Sequence, residues 1–306
     1  MVEQIEIIDV APRDGLQSQP KLVDTSTKVE LITRLIEAGV RRMEVVSFVN
    51  PKRVPQMADA EEVLKLLPKR DDVTYTGLVL NMRGFERAVT NKIDEINCVV
   101  LASDTFNQRN QGVTTEQTMK TIEEIAIQSK STQLTCGVTI SAAFGCPFEG
   151  EVPVTRVVDL ATRLVNMGVD EIVLADTIGA AGPSDVSKVI RAVREVSGDM
   201  PLRCHFHNTR NTGVANVYAA IMEGVRIFDA SCGGVGGCPF APAATGNVAT
   251  EDLLYMIHRM GFETGISIEG IMETARWLEG PLETQMPAMV TRAGLFPSNT
   301  VHDSAN

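Results

Sequence analysis

The six cysteines of this 306-residue chain, at 98, 136, 146, 204, 232 and 238, form no Cys-X-X-Cys pair and show no zinc-finger spacing. Neither a disulfide framework nor a zinc finger is therefore expected, and reduced thiols in a cytoplasm-like compartment are the simplest reading. No stretch reaches the roughly 18 consecutive apolar residues that a membrane span requires. The opening Met-Val-Glu-Gln-Ile-Glu lacks the basic and apolar regions of a signal peptide, so a soluble, cytoplasmic protein is expected. Positive charge is scarce as well. A net charge of -11 disfavours nucleic acid or an anionic membrane surface as the main partner, because both need a basic face. A few local arginines could still meet an anionic small molecule. No Gly-X-Gly-X-X-Gly follows the first apolar run, where a dinucleotide-binding fold would place it.

What is present is alternation. Short β-rich runs at Ile5–Val10, Met43–Ser47, Thr74–Leu80, Ile96–Ala102, Leu134–Ser141, Glu171–Ala175, Leu202–His207 and Ile227–Ser231 read as strands. Between them lie amphipathic stretches, Thr27–Ala38, Met57–Leu67, Thr115–Ser129, Val154–Met167, Ser184–Val196 and Gly213–Glu223, and Gly39, Gly168 and Gly224 suit helix C-caps. Eight strand–helix units predict a parallel sheet closed into an α/β (β/α)8 TIM barrel, with an open doubly wound sheet as the runner-up. Thr250–Met260 and Ile268–Leu278 read as additional C-terminal helices. One catalytic domain over 1–285 and a partly loose tail over 286–306 are expected.

Barrel chemistry resides at the C-terminal ends of the strands. After strand one, Asp14 offers a carboxylate for a cation and Arg13 a fixed charge with planar donors, although Asp-Gly is also a turn dipeptide. Glu44 sits in an apolar strand and would be satisfied by Arg13, the alternative being an outward-facing charge. Asp176 follows strand six, either at the mouth or as a cap or turn residue. His205 and His207, at i and i+2, point to one face of strand seven, so one ion can see both, although single histidines are commonly core residues. A glycine-rich run, Gly233-Gly234-Val235-Gly236-Gly237, suits a mobile lid. Cys238 would ride on it as an acid or base, or else pack inertly, and Asn247 beyond it offers an amide oxygen. Asp14, His205, His207 and Asn247 together provide two imidazoles and two oxygens with open positions to spare. That set favours Mg²⁺ or Mn²⁺ over Zn²⁺.

Several of these stretches carry a family resemblance. Pro12-Arg13-Asp14-Gly15-Leu16-Gln17, Ser47-Phe48-Val49-Asn50-Pro51-Lys52, Val54-Pro55-Gln56-Met57-Ala58-Asp59, Gly145-Cys146-Pro147-Phe148-Glu149-Gly150, Asp176-Thr177-Ile178-Gly179, Gly236-Gly237-Cys238-Pro239-Phe240 and Gly246-Asn247-Val248-Ala249-Thr250-Glu251-Asp252 occur in order. From about Ile5 to about Gly280 the chain resembles the 3-hydroxy-3-methylglutaryl-CoA lyase family of DRE-type metal-dependent TIM barrels. The resemblance implies metal ligation by Asp14, His205, His207 and Asn247. It also implies charge stabilisation by Arg13 and proton transfer by Cys238, with Asp176 and Glu44 in support. The implied reaction is retro-Claisen cleavage of an acyl-CoA partner to acetyl-CoA and acetoacetate, in leucine catabolism and ketone-body formation, by a homodimer or homotetramer.

Three stretches depart from the family's pattern: Ser18-Gln19-Pro20, Asn208-Thr209-Arg210 and Pro242-Ala243-Ala244-Thr245. All fall near the expected mouth, where a change of acyl group would register, and Arg210 could either meet a second carboxylate or be a solvated surface charge. Within the superfamily, a condensing enzyme or a 4-hydroxy-2-oxoacid aldolase is the alternative. The Gly-Gly-Cys-Pro motif and the short stretch after the barrel favour a lyase. A barrel that has lost catalysis and only binds would show decay among the eight mouth residues, and all eight are present.

Overall fold

A computed structural model describes residues 2–237 and 246–297. Eight parallel strands close into a barrel in sequential order: β1 (Glu6–Asp9), β2 (Arg42–Ser47), β3 (Thr74–Val79), β4 (Glu95–Leu101), β5 (Thr135–Ser141), β6 (Glu171–Asp176), β7 (Leu202–Phe206) and β8 (Ile227–Ala230). β8 pairs back onto β1 through Glu6 with Ile227 and Asp9 with Ala230, which closes the ring and leaves no open edge. The TIM barrel expected from the alternation is the fold observed.

Each strand follows the period-two logic of a sheet covered on one side by helices. The outward residues, such as Ile172 and Leu174 on β6 and Cys204 and Phe206 on β7, are buried, because parallel strands in a barrel are covered on both faces. The covering helices are α1 (Thr25–Glu37), α2 (Ala60–Leu66), α3 (Met82–Thr90), α4 (Asp104–Gln111), α5 (Thr115–Thr132), α6 (Val154–Met167), α7 (Pro183–Ser197) and α8 (Gly213–Met222), followed by α9 (Thr250–Arg259), α10 (Ile268–Leu282) and α11 (Met289–Ala293). Asp24 caps α1 by accepting from the Thr27 backbone, and Thr114 with Gln117 forms a capping box at the start of α5. Gly168 ends α6 in the left-handed region, as the sequence suggests. Among the described residues, no helix is long and apolar enough to cross a membrane. Within residues 286–293, Met286 and Ala288 are buried and the Val290 N–H donates to Asp252.

Three helices, α3, α4 and the five-residue α11, are not marked by the sequence. α4 is dominated by polar side chains and presents little apolar periodicity, whereas α3 buries Phe85 and Ala88 on one face but spans only nine residues. Their caps carry the signal instead: Asn81 and Ser103 accept from the first-turn backbone, and Gly112 ends α4.

Inside the barrel the lower layer is ionic. At the N-terminal ends of the strands, the floor, Arg42 of β2 reaches across to Glu171 of β6 at 3.1 and 3.0 Å while its Nε donates to Glu95 of β4 at 2.8 Å. Thr76 of β3 donates to the same Glu95 oxygen at 2.9 Å. A side chain at Gly137 of β5 would sit 3.4 Å from a Glu171 oxygen. The glycine leaves that carboxylate its room.

Candidate active site

Immediately after β1, the segment Ala11–Gly15 winds into a single π-helical turn, with Pro12 at its start. Such turns crowd extra residues into one revolution and recur at functional sites. Here the turn brings Arg13 and Asp14 to the rim side by side. Asp9 holds it in place: one oxygen accepts from the Ala11 N–H at 2.9 Å, and the other accepts from Cys232 N–H at 3.1 Å and from the Thr250 hydroxyl at 2.7 Å. A single buried carboxylate thus ties the loop after β1 to the loop after β8.

Arg13 is spoken for on both sides. Its Nε donates to a Glu44 oxygen at 2.7 Å, a second nitrogen contacts the same oxygen, and NH1 donates to Asp14 at 2.7 Å. Glu44, buried in β2, is therefore paired as the sequence expects, and burial raises its affinity for a proton while Arg13 opposes that. Two of the guanidinium's five donors remain for another partner.

His205 is the penultimate residue of β7 and His207 lies just beyond its end, their ring centroids 5.1 Å apart. Ligand atoms of Asp14, His205 and His207 all lie within 4.8 Å of one another. Asn247 joins them through the backbone: its segment forms an antiparallel bridge with His207, and the Asn208 N–H donates to Gly246 at 3.0 Å. The Asn247 amide nitrogen donates to Asp14 at 2.9 Å and to the Val235 carbonyl at 3.3 Å. The four residues singled out in the sequence as a ligand set are thereby brought together at the C-terminal rim.

Electrostatics separates the group into roles. Burial pushes the Asp14 carboxyl up, but Arg13 and the two imidazoles outweigh it and hold the group at about 2, so Asp14 is an anion. Burial and the neighbouring His205 push His207 down to about 4, leaving it neutral with a lone pair to give. For His205, burial is outweighed by the Asp229 carboxylate, whose Oδ2 lies 3.1 Å from Nδ1, and its affinity for a proton rises. His207 Nδ1 and Asn247 Oδ1 are buried with no hydrogen-bond partner among the described residues. Orphaned acceptors beside an anion are costly unless something electropositive meets them. A divalent cation has that chemistry, and the donor set of nitrogen and oxygen suits it.

Asp14, His205 and His207 line a cavity of about 630 Å³ whose wall also includes Asn97, Thr139, Arg53 and Asn110. Its volume falls within the range of small-molecule pockets. Asn97 and Thr139, hydrogen-bonded to each other at 3.0 and 3.1 Å, were not singled out in the sequence, and neither was Asp229.

Other sequence candidates are placed differently. Asp176 is fully buried at the end of β6, and its oxygens accept from the Ala180 N–H at 2.8 Å and the Ala181 N–H at 3.0 Å, which is the turn-forming geometry. Burial raises its proton affinity despite those two donors. Next to it, Thr177 lines the cavity. Arg210 donates through NH1 to the Ile178 and Gly179 carbonyls at 2.9 and 2.8 Å, which ties it to the loop after β6. The described part of the glycine-rich run is packed. Gly233 adopts φ +69 against Met286, and at Gly236, φ +133, a side chain would come within 2.6 Å of the Asn247 amide. These glycines serve close approach instead of looseness. Cys238, with residues 239–245, lies outside the described residues.

Comparison with known proteins accords with this geometry. Residues 4–278 match the family described as HMGL-like. The chain is 43% identical to the (R)-citramalyl-CoA lyase of Chloroflexus aurantiacus, covering 96% of each sequence. It is 37% identical to a hydroxymethylglutaryl-CoA lyase of Bacillus subtilis, covering 94% of this chain and 96% of that protein. Among solved structures, an HMG-CoA lyase from Acinetobacter baumannii in complex with coenzyme A and 3-methylmalate superposes with a TM-score of 0.93 at 38% identity, covering 96% of each chain.

Proposed function

The chain belongs to the HMGL-like family and is a carbon–carbon lyase, and from that premise we propose that it cleaves a 3-hydroxy-3-methyl-acyl-CoA to acetyl-CoA and a keto acid with the help of a divalent cation. The observation that carries the reading is the convergence of Asp14, His205 and His207, with Asn247 hydrogen-bonded to Asp14, in the wall of one cavity. On this reading residues 1–285 form the catalytic domain.

A Mg²⁺ or Mn²⁺ ion held by Asp14, His205, His207 and Asn247 would supply Lewis acidity toward the substrate's hydroxyl and acyl oxygens. The remaining work falls to the chain. The tertiary hydroxyl gives up its proton to a base in the mouth. The bond between the carbinol carbon and the thioester α-carbon breaks, and its electron pair passes into the enolate of acetyl-CoA. Arg13, clamped by Glu44, presents its two unused donors to that developing charge, where a preorganised cation is most effective. Cys238 returns a proton to the α-carbon, thiols being among the groups that serve as acids in enzymes.

Two acyl groups fit this chemistry. Hydroxymethylglutaryl-CoA carries its free carboxylate one methylene beyond the carbinol carbon and yields acetoacetate. Citramalyl-CoA carries it directly on that carbon and yields pyruvate. The 43% identity to a citramalyl-CoA lyase favours the second as strongly as the family pattern favours the first. The discriminating experiment offers both thioesters, the second as each enantiomer, to protein supplied with Mg²⁺ or Mn²⁺, and follows acetyl-CoA release. Release from at least one substrate, abolished by EDTA and restored by the ion, is expected. No release from either, or release indifferent to EDTA, would overturn the proposal.

A further inference from the structure

Asp229 occupies the centre of β8, between Phe228 and Ala230, and is 7% exposed. One of its oxygens faces Arg203 NH1 at 3.4 Å and the other faces His205 Nδ1 at 3.1 Å. Arg203 is 1% exposed and pairs again, through Nε, with Glu171 at 3.2 Å. Glu171 takes both terminal nitrogens of Arg42. A continuous run of opposite charges therefore leads from the barrel floor, through Glu171, Arg203 and Asp229, to a rim imidazole. We propose that Asp229 is the positioning residue for His205: braced from below by Arg203, it holds the Nδ1–H tautomer and ring orientation that leave Nε2 free to face the cavity and its cation.

The physical case rests on the two ring nitrogens being distinct. A carboxylate at Nδ1 fixes the proton there and makes the opposite nitrogen a better donor of its lone pair. His207 provides the internal contrast. Its Nδ1 has no hydrogen-bond partner among the described residues, so no carboxylate meets that nitrogen as Asp229 meets His205 Nδ1. Arg203 has a second function on this account. An aspartate free to rotate would hold the imidazole loosely, whereas one drawn toward a buried guanidinium, at ion-pair distance without a hydrogen bond, is restrained in its orientation.

This inference rests on the proposed cation site, and two readouts keep their failures apart. The chain has only four histidines, so ¹⁵N-histidine spectra of metal-free protein, at alkaline pH where the rings are neutral, report each tautomer. His205 is expected as Nδ1–H in the wild-type protein, and that dominance should be lost in Asp229→Asn, with His258 unchanged. Titration with Mn²⁺ alone should then show affinity falling about 10- to 100-fold in Asp229→Asn, and at least as far in the control His205→Ala. Because Asp229→Asn weakens a partner of Arg203, the double variant Arg203→Met/Asp229→Asn repeats both measurements with no guanidinium stranded in the core. An Nε2–H tautomer in the wild-type protein, or Mn²⁺ affinity in the folded variants within about threefold of wild type, would overturn the proposal. Failure of the wild-type protein to take up Mn²⁺ would overturn the metal reading, and the tautomer would still decide the role of Asp229.

Discussion

The floor and the mouth of this barrel are built from the same kinds of side chain and end in opposite conditions. At the floor, Arg42 uses Nε and both terminal nitrogens on Glu95 and Glu171, so charge is consumed where it is made. At the mouth, Asp14 is an anion flanked by His207 and Asn247 atoms that have no hydrogen-bond partner among the described residues. Buried polar groups that satisfy one another contribute rigidity, and those left open contribute reactivity. The difference separates the part of the interior that holds the barrel's shape from the part available to a ligand.

Three experiments test that division. The largest effect is expected at the mouth. His205→Ala should lower turnover by about 10³-fold or more, the several kcal/mol that a Lewis-acid site supplies, while the thermal midpoint measured in EDTA barely moves. A large loss of stability would make His205 a core residue and blur the contrast. Next comes Arg42→Met at the floor. Removing one partner of a buried ion pair costs roughly 3–5 kcal/mol, so denaturant unfolding should shift clearly while kcat of the folded fraction stays within about threefold. A collapse of kcat without lost stability would mean that the floor takes part in the chemistry.

The smallest effect concerns Glu251, which accepts from the Gly233 N–H and the Thr291 hydroxyl, and which burial pushes up to about 7. A carboxyl whose folded value lies above its unfolded one binds more protons when folded. Stability is therefore highest below the unfolded value and declines as pH rises toward 7. Asp14, held at about 2, acts in the opposite sense but only below the ordinary carboxylate range. Between pH 5 and 7, in EDTA, Glu251→Gln should flatten the decline by up to about 1.4 kcal/mol per pH unit. An unchanged slope would show that Glu251 is not the group responsible.

Much of this was legible in the sequence because it is local. Parallel strands covered on both faces read as apolar runs, and all eight were found to within a residue or two at each end. The histidine pair was legible because a two-residue spacing on a strand is a statement about direction. Glu44 was legible as a carboxylate in an apolar strand. Asp229, between Phe228 and Ala230, gives the same signal, but its partners Arg203 and His205 lie on a different strand and their pairing is a property of the closed barrel. The floor was hidden for a related reason. Arg42, Glu95 and Glu171 each stand at the start of a strand, where a charge ordinarily faces water, and only curvature turns them toward a common axis. Asn247 was placed in the ligand set from its chemistry, but its route there, a backbone bridge to His207, depends on pairing across forty residues of chain.

The ionic floor also bears on how the protein responds to temperature. Apolar surface released on unfolding raises the heat capacity, and polar surface lowers it. A barrel that fills its lowest layer with guanidinium and carboxylate groups therefore has a smaller heat-capacity increment than one of equal volume filled with valine and isoleucine. Its stability curve is correspondingly broader. Warming also weakens the hydration that unfolding would restore to those ions, so the floor loses less of its hold on heating than a hydrocarbon layer would.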